Sequence, residues 1–219
     1  MVTGADCRRS FARNAIACFL AQTHPNRFLL VVNYGRFAFE VPGVPASRVI
    51  QVQLRRRKVL GALRNHALRL VPKDAIILQW DDDDWRAPRL IEDQLRAMEK
   101  NGADGCALGR QVKYSLPLDC AWEDTLDPDF RGFAGTIMFR NKADMRYPRW
   151  PQHEDSAFWA MFMVKYPVCR WDNPHRYYVR FIHGHNTSDH LRSIERPRGQ
   201  WLLSPRSRAY LRTVLTRYG

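Results

Sequence analysis

Apolar runs short enough to be strands alternate, through the first half of the chain, with stretches whose apolar residues recur at helical spacing. From Arg8 to Gln22, the residues Phe11, Ala15, Ile16, Phe19 and Leu20 share one helical face, and Phe28 to Val32 follows as a buried strand. The loop 41–48, VPGVPASR, carries two prolines and a glycine. VIQV at 49–52 then reads as a strand, and Val59, Leu60, Leu63, Ala67 and Leu70 mark a second helix. DAIILQW at 74–80 predicts a third buried strand, and Pro88 opens a helix with Leu90, Ile91, Leu95 and Met98 inward. Strands separated by helices close into a largely parallel sheet covered on both faces, so the chain is expected to be α/β.

Beyond Asn101-Gly102 the pattern shortens. Segments 104–109, 110–115, 135–141 (GTIMFRN) and 177–183 (YYVRFIH) read as strands, partly antiparallel, around one helix over 154–165. The tail from Ser207 to Tyr218 places Tyr210, Leu211, Val214, Leu215 and Tyr218 on one face, with Arg208, Arg212 and Arg217 around them. This is a basic amphipathic helix expected to dock on its own domain. A chain of 219 residues fits one domain, read as a first half 1–103, a second half 104–190 and a basic tail 191–219.

Composition limits the classes of partner. Hydrophobic residues at 45% supply enough apolar area to offset chain entropy, so the chain folds. A formal charge of +13 attracts phosphates, nucleic acid or an anionic membrane face, and charge alone does not choose among them. Cys7, Cys18, Cys106, Cys120 and Cys169 are dispersed without a CxxC pair, which argues against a zinc knuckle or a disulfide framework and suits a reducing cytoplasm. No apolar run reaches the roughly 18 residues that span a bilayer, and no leader pattern opens the sequence, so a cytoplasmic protein is expected.

The chemistry concentrates in three places. Asp81, Asp82, Asp83 and Asp84 follow a strand, at the sheet edge where α/β proteins bind ligands. Four adjacent like charges need cations, and a hard divalent ion such as Mn²⁺ or Mg²⁺ suits carboxylate oxygens; capping of the next helix by one or two of them is the plainer alternative. His153-Glu154-Asp155 opens a helix, where a carboxylate either serves the helix dipole or faces a pocket as a general base. FIHGHNTSDH at 181–190 ends a strand with His183, His185 and His190, one of which could complete a metal shell. No Walker or dinucleotide glycine loop is present, so a bound pyrophosphate would rely on metal and on Arg or Lys.

In this order the motifs resemble the family 2 glycosyltransferases from Val2 to about Asp189. MVTGADCRRSFARNAIACFLAQTHPNRFLLVV resembles the family's opening strand, helix and strand. LGALRN at 60–65 resembles a donor-side segment, QWDDDDW at 79–85 its DxD motif, GFAGTIMFR at 132–140 an acceptor-side strand, and HEDSAFW at 153–159 its ED motif. The resemblance implies a GT-A fold, a Rossmann-like nucleotide-diphospho-sugar transferase built as a three-layer α/β/α sandwich with a mostly parallel sheet. It implies a metal-dependent, inverting glycosyltransferase of hexosyltransferase type, using a UDP-sugar or similar nucleotide-sugar donor and a glycan, lipid-linked or protein hydroxyl acceptor.

By the same resemblance, Thr3, Arg8 or Arg9, Asn33, Arg64, Asn65, Asp81 and Asp82 would attend the donor. Asp83 and Asp81, with His183 or His185, would hold the metal, and Asp155 beside Glu154 would be the base. Two departures stand out: Asn33-Tyr34-Gly35 occupies the place of one or two base-reading aspartates, and the first strand counts only Met1, Val2 and Thr3. A metal-dependent phosphoester hydrolase would use a similar aspartate cluster. A nucleic-acid-binding protein would use the charge and Trp80, Trp85 and Tyr114, although four aspartates argue against a phosphate-facing surface and no nucleic acid is expected. The basic tail makes peripheral contact with the inner face of a membrane plausible.

Overall fold

The structure is a computed structural model that describes residues 1–4, 6–36, 38, 48–56, 58–127, 129–186 and 205–215. Its N-terminal sheet is wholly parallel. β1 (Val2–Thr3) and β3 (Val49–Gln53) flank β2 (Leu29–Asn33), with Val2 beside Val32 and Leu29 beside Val49. The stub of a first strand is tied in at its end as well, since the Tyr34 amide donates to the Thr3 carbonyl at 3.0 Å. The helical periodicities hold as α1 (Arg9–Leu20), α2 (Leu60–Leu70), α3 (Leu90–Lys100) and α4 (Glu154–Lys165). Most of the loop 41–48 lies outside the described residues.

The apolar run 74–80 shortens to β4 (Ile76–Leu78), and Ile76 is exposed rather than buried because it sits at the strand's outer end. A second sheet orders β10 (Val168–Trp171), β6 (Gly105–Leu108), β9 (Met138–Arg140) and β4, with β10 parallel to β6 and the β6–β9 and β9–β4 pairs antiparallel. A third orders β5 (Trp85–Arg86), β11 (Tyr178–Ile182), β7 (Arg110–Ser115) and β8 (Cys120–Thr125). Gly109 separates β6 from β7, so one stretch of chain feeds both sheets. A Cβ there would crowd the Arg170 Nε and Asp172 Oδ1 side-chain atoms, at 2.4 and 2.5 Å.

Burial organises these elements into adjoining cores. The first gathers Ala12, Ile16 and Phe19 of α1 with Val31, Trp80, Trp85, Val112 and Phe181. The second gathers Phe158, Trp159 and Phe162 of α4 with Leu68, Phe139, Met145 and Tyr147, whose ring stacks on Phe158 at 4.1 Å. The tail forms α5 (Pro205–Leu215), and its Leu211 and Val214 are buried in the first core, so these residues of the apolar face are taken up by the domain itself. Tyr218 and Arg217 lie outside the described residues. Among the described residues no helix is long and apolar enough to cross a membrane.

Two contacts join α2 to the segment that leads into α4. Asn65 clasps Tyr147, donating from Nδ2 to its carbonyl at 2.7 Å and accepting its amide at Oδ1 at 2.8 Å. Gly61 donates to the Trp150 carbonyl at 3.1 Å, and a Cβ at Gly61 would overlap the Pro148 carbonyl oxygen. Gly→Ala in a helix ordinarily stabilises by lowering backbone entropy. At Gly61 the sign reverses: Gly61→Ala is expected to destabilise by about 1–3 kcal/mol through forced separation of α2 from 148–150, read as a lower midpoint in urea unfolding.

Candidate active site

The aspartates occupy a tight reversal. The chain leaves β4, passes Trp80, turns through Asp81 to Asp84 and returns at once as β5, which pairs antiparallel with β11 through Tyr178 opposite Arg86 and Val179 opposite Trp85. That pairing fixes the last aspartate: Tyr178 Oη donates to Asp84 Oδ2 and the Phe181 amide to Asp84 Oδ1 at 3.3 Å. The cleft in front measures about 600 Å³ and is lined by all four aspartates, by Arg8, Arg64, Arg180 and Lys58, by Tyr34, and by 151–156 at the start of α4.

Arginines from separate elements reach the carboxylates. Arg8 Nη2 donates to Asp83 Oδ2 at 2.7 Å and to Asp82 Oδ1. Arg64 bridges the two halves of the cleft, with Nη2 on Asp81 Oδ1 at 2.9 Å and Nε on Glu154 Oε1 at 2.8 Å. Beneath them Arg86 is 2% exposed, its guanidinium 4.4 Å from the Trp80 ring centroid and 5.3 Å from that of Tyr178, with Nη1 donating to the Asp81 carbonyl at 3.1 Å. Burial opposes the charge of Asp81, yet Arg64 and Arg86 outweigh it and hold its carboxyl below the ordinary range. Burial also opposes the charge of Asp83, and the His183 hydrogen bond and Arg8 overcome it. Asp82 and Asp84 lie the other way: burial, then the Asp83 charge, pushes each up to about 7.

The remaining expected residues are placed unevenly. Arg8, the final residue of a 3-10 turn over Asp6–Arg8, lines the cleft; Arg9, the first residue of α1, does not. Thr3 and Asn33 are buried at the ends of β1 and β2, and Asn33 Oδ1 accepts the Gly35 amide at 2.8 Å. Asn65 is absent from the cleft wall, its amide being spent on Tyr147. His153 caps α4 from a left-handed conformation (φ 60°), which turns the chain so that Glu154 and Asp155 face the cleft. Glu154 is buried and ion-paired, whereas Asp155 is half-buried and receives hydrogen bonds from Ser156.

His183 is buried, stacks on Phe11 at 4.4 Å and points Nε2 at Asp83 Oδ2, 3.3 Å away. Its Nδ1 lies 3.1 Å from the His185 amide nitrogen, a donor without an alternative role, so Nδ1 is the acceptor and the ring hydrogen sits on Nε2. In this arrangement Nε2 faces Asp83, and the Asn186 side-chain amide nitrogen also lies 3.3 Å from it. His185 is exposed, with its ring 6.2 Å from that of His183; His190 lies outside the described residues. Asn186 completes the group, with Nδ2 3.3 Å from Asp83 Oδ2.

Among the described residues no three His, Cys, Asp or Glu groups are disposed to enclose an ion. Asp81 and Asp83 do present carboxylate oxygens to the cleft, a donor set that fits Mg²⁺ or Mn²⁺, ions commonly held by one or two carboxylates with phosphates and water completing the shell. Arg180 and Tyr178 also belong to the cleft and were not singled out in the sequence. They stand two apart on β11, and that period of two, shared with the buried Phe181 and Val179 on the other face, was the available signal.

The raised pKa of Asp84 sets a pH dependence. A folded pKa of about 7 above an unfolded value near 3.8 means the native state binds the extra proton between them, so its contribution is fully present below about 4 and is lost as pH rises through 7. Asp84→Asn mimics the protonated form. Its melting temperature is expected to exceed that of the parent protein by a margin that grows from pH 5 to pH 8; a constant margin would contradict the assignment.

The comparisons agree with this geometry. The sequence profile described as Glycosyl transferase family 2 matches residues 9–196. A search of curated proteins finds no match. Among solved structures, S. aureus TarS 1–349 in complex with UDP-GlcNAc superposes with a TM-score of 0.64 at 12% identity over 99% of this chain and 65% of that one. The same protein in complex with UDP gives 0.61 at 13% identity over 83% and 59%. The mannosyltransferase PcManGT from Pyrobaculum calidifontis, in complex with GDP-Man and Mn²⁺, gives 0.56 at 13% identity over 85% and 57%. The chain thus spans about three-fifths of the length of these structures. At such identity the superpositions speak for the GT-A architecture alone, while the profile covers most of the sequence: the chain belongs to glycosyl transferase family 2.

Proposed function

We propose that this protein transfers a sugar, of hexosyl type, from a nucleoside-diphosphate donor to a hydroxyl acceptor with inversion at the anomeric carbon. One observation carries the reading: Asp155 stands in the same cleft as Asp81 to Asp83, and its neighbour Glu154 takes up Arg64 while Asp155 does not. A carboxylate left half-exposed and unpaired by arginine is suited to accept the acceptor hydroxyl's proton. TarS is known in complex with UDP and with UDP-GlcNAc, and PcManGT with GDP-Man and Mn²⁺, which supports a nucleotide-sugar donor of that class here.

In this reading Arg8, Arg180 and Lys58 supply positive charge on the donor side, and Arg64 holds Asp81 and the start of α4 in fixed relation. Asp83 and Asp81 would hold Mn²⁺ or Mg²⁺, an ion that supplies electrostatic stabilisation of the charge left on the departing diphosphate. Asp155 takes the proton as the acceptor oxygen bonds to the anomeric carbon, and the nucleoside diphosphate leaves from the opposite face. A phosphoester hydrolase would use the same carboxylates but give sugar phosphate or cut nucleic acid as product.

Thermal-shift titration with UDP, GDP and their sugars, with and without Mn²⁺, tests the donor site, because a ligand of the folded state raises the melting temperature. A shift that needs both nucleotide and metal is expected. It should vanish in Asp83→Ala. Asp155→Asn should keep the shift and lose transfer by about 10² to 10⁴-fold, the range of a lost general base; transfer at the parent rate would remove Asp155 from that role.

A further inference from the structure

Arg8 occupies the place where the aspartates would meet a divalent ion. Its Nη2 lies between Asp83 Oδ2, at 2.7 Å, and Asp82 Oδ1, and the three side chains are largely shielded, at 15, 11 and 4% exposure. A divalent cation on Asp83 would then stand within a few ångströms of this guanidinium, and at such range two cations repel by several kcal/mol even at the effective dielectric of a protein surface, about 20. Both cannot sit on the same carboxylate oxygen. Nor can Arg8 be dispensed with in the absence of an ion: Asp82 and Asp83 are buried side by side, and its guanidinium bridges the two carboxylates. The residue is also placed to move. It closes a 3-10 turn ahead of α1 rather than standing inside a helix, and it lines the open cleft beside Tyr34, on the donor side.

We propose that Arg8 is a built-in counter-ion that a divalent cation displaces from Asp83, and that the displaced guanidinium then takes the diphosphate of the donor. The inference rests on the reading that Asp83 holds the ion. Its consequence is coupling. Metal alone must break the Arg8–Asp83 ion pair without supplying the guanidinium a replacement anion, so it binds weakly; metal arriving with a diphosphate supplies that anion, so the two ligands tighten each other reciprocally.

Direct titration with Mn²⁺, following free ion by electron paramagnetic resonance, tests this without any turnover. Arg8→Ala and Arg8→Gln, the second removing the charge while keeping a polar stem should the first not fold, are expected to bind Mn²⁺ alone about tenfold or more tighter than the parent protein. UDP or GDP should tighten Mn²⁺ binding markedly in the parent and much less in either variant. Parent-like Mn²⁺ affinity in both Arg8 variants, with binding lost in Asp83→Ala, would overturn the exchange and leave the metal site standing. Absence of Mn²⁺ binding from the parent and from both variants, with or without nucleotide, would overturn the metal reading and the exchange with it.

Discussion

Four carboxylates on consecutive residues can be buried together only if positive charge reaches them from several directions, and the architecture is arranged so that it does. Arg8 comes from the turn before α1, Arg64 from α2, Arg86 from β5 and Arg180 from β11. No single element could supply all four, since side chains of one helix or strand face at most one side of the loop. The sheet order, the reversal into β5 and the packing of α2 on the segment before α4 can each be understood as bringing one of these cations to the cluster. Arg86 is the extreme case, a guanidinium held between two aromatic faces and below the loop, where its field favours the charged forms of Asp81 and opposes the rise of Asp84.

The same arrangement divides labour among the acids. Asp81 and Asp83 stay charged and face the cleft, Asp84 is committed to Tyr178 and to the β11 backbone, and Asp82 shares Arg8 with its neighbour. At the opposite wall Glu154 holds Arg64, and adjacent Asp155 is left half-exposed. Neighbouring residues of one chemical type thus differ in role because the elements around them differ, a distinction that spacing alone does not carry.

Much of this was legible in the sequence. Helices α1 to α5 each have apolar residues at helical spacing, and the strands at 29–33, 49–53, 110–115 and 178–182 are largely apolar or alternate in part. β5 was not, because two residues have no period, yet it is the element that pins Asp84. β8, with CAWEDT half-exposed at an edge, offers no apolar run, and β10 is four residues with an arginine among them. Asp81 to Asp83, Arg64, Glu154 and Asp155 were singled out and share one cleft. Arg8 against Arg9 was not decidable, because one residue of slip at a helix start turns a side chain by about 100°. Arg180 looks like any surface arginine until β11 is paired.

Arg64 reaches Asp81 across only 17 residues, but several other contacts around the cluster are long in sequence. Arg8 to Asp82 spans 74 residues, Arg64 to Glu154 spans 90, Tyr178 to Asp84 spans 94 and His183 to Asp83 spans 100. Ring closures of that size are slow, and the entropy lost in making them is recovered only once distant strands have paired. The charges of the aspartate loop are therefore met through the tertiary fold rather than by local structure. The N-terminal parallel sheet, whose partners lie within about fifty residues of each other, closes shorter loops than these contacts do.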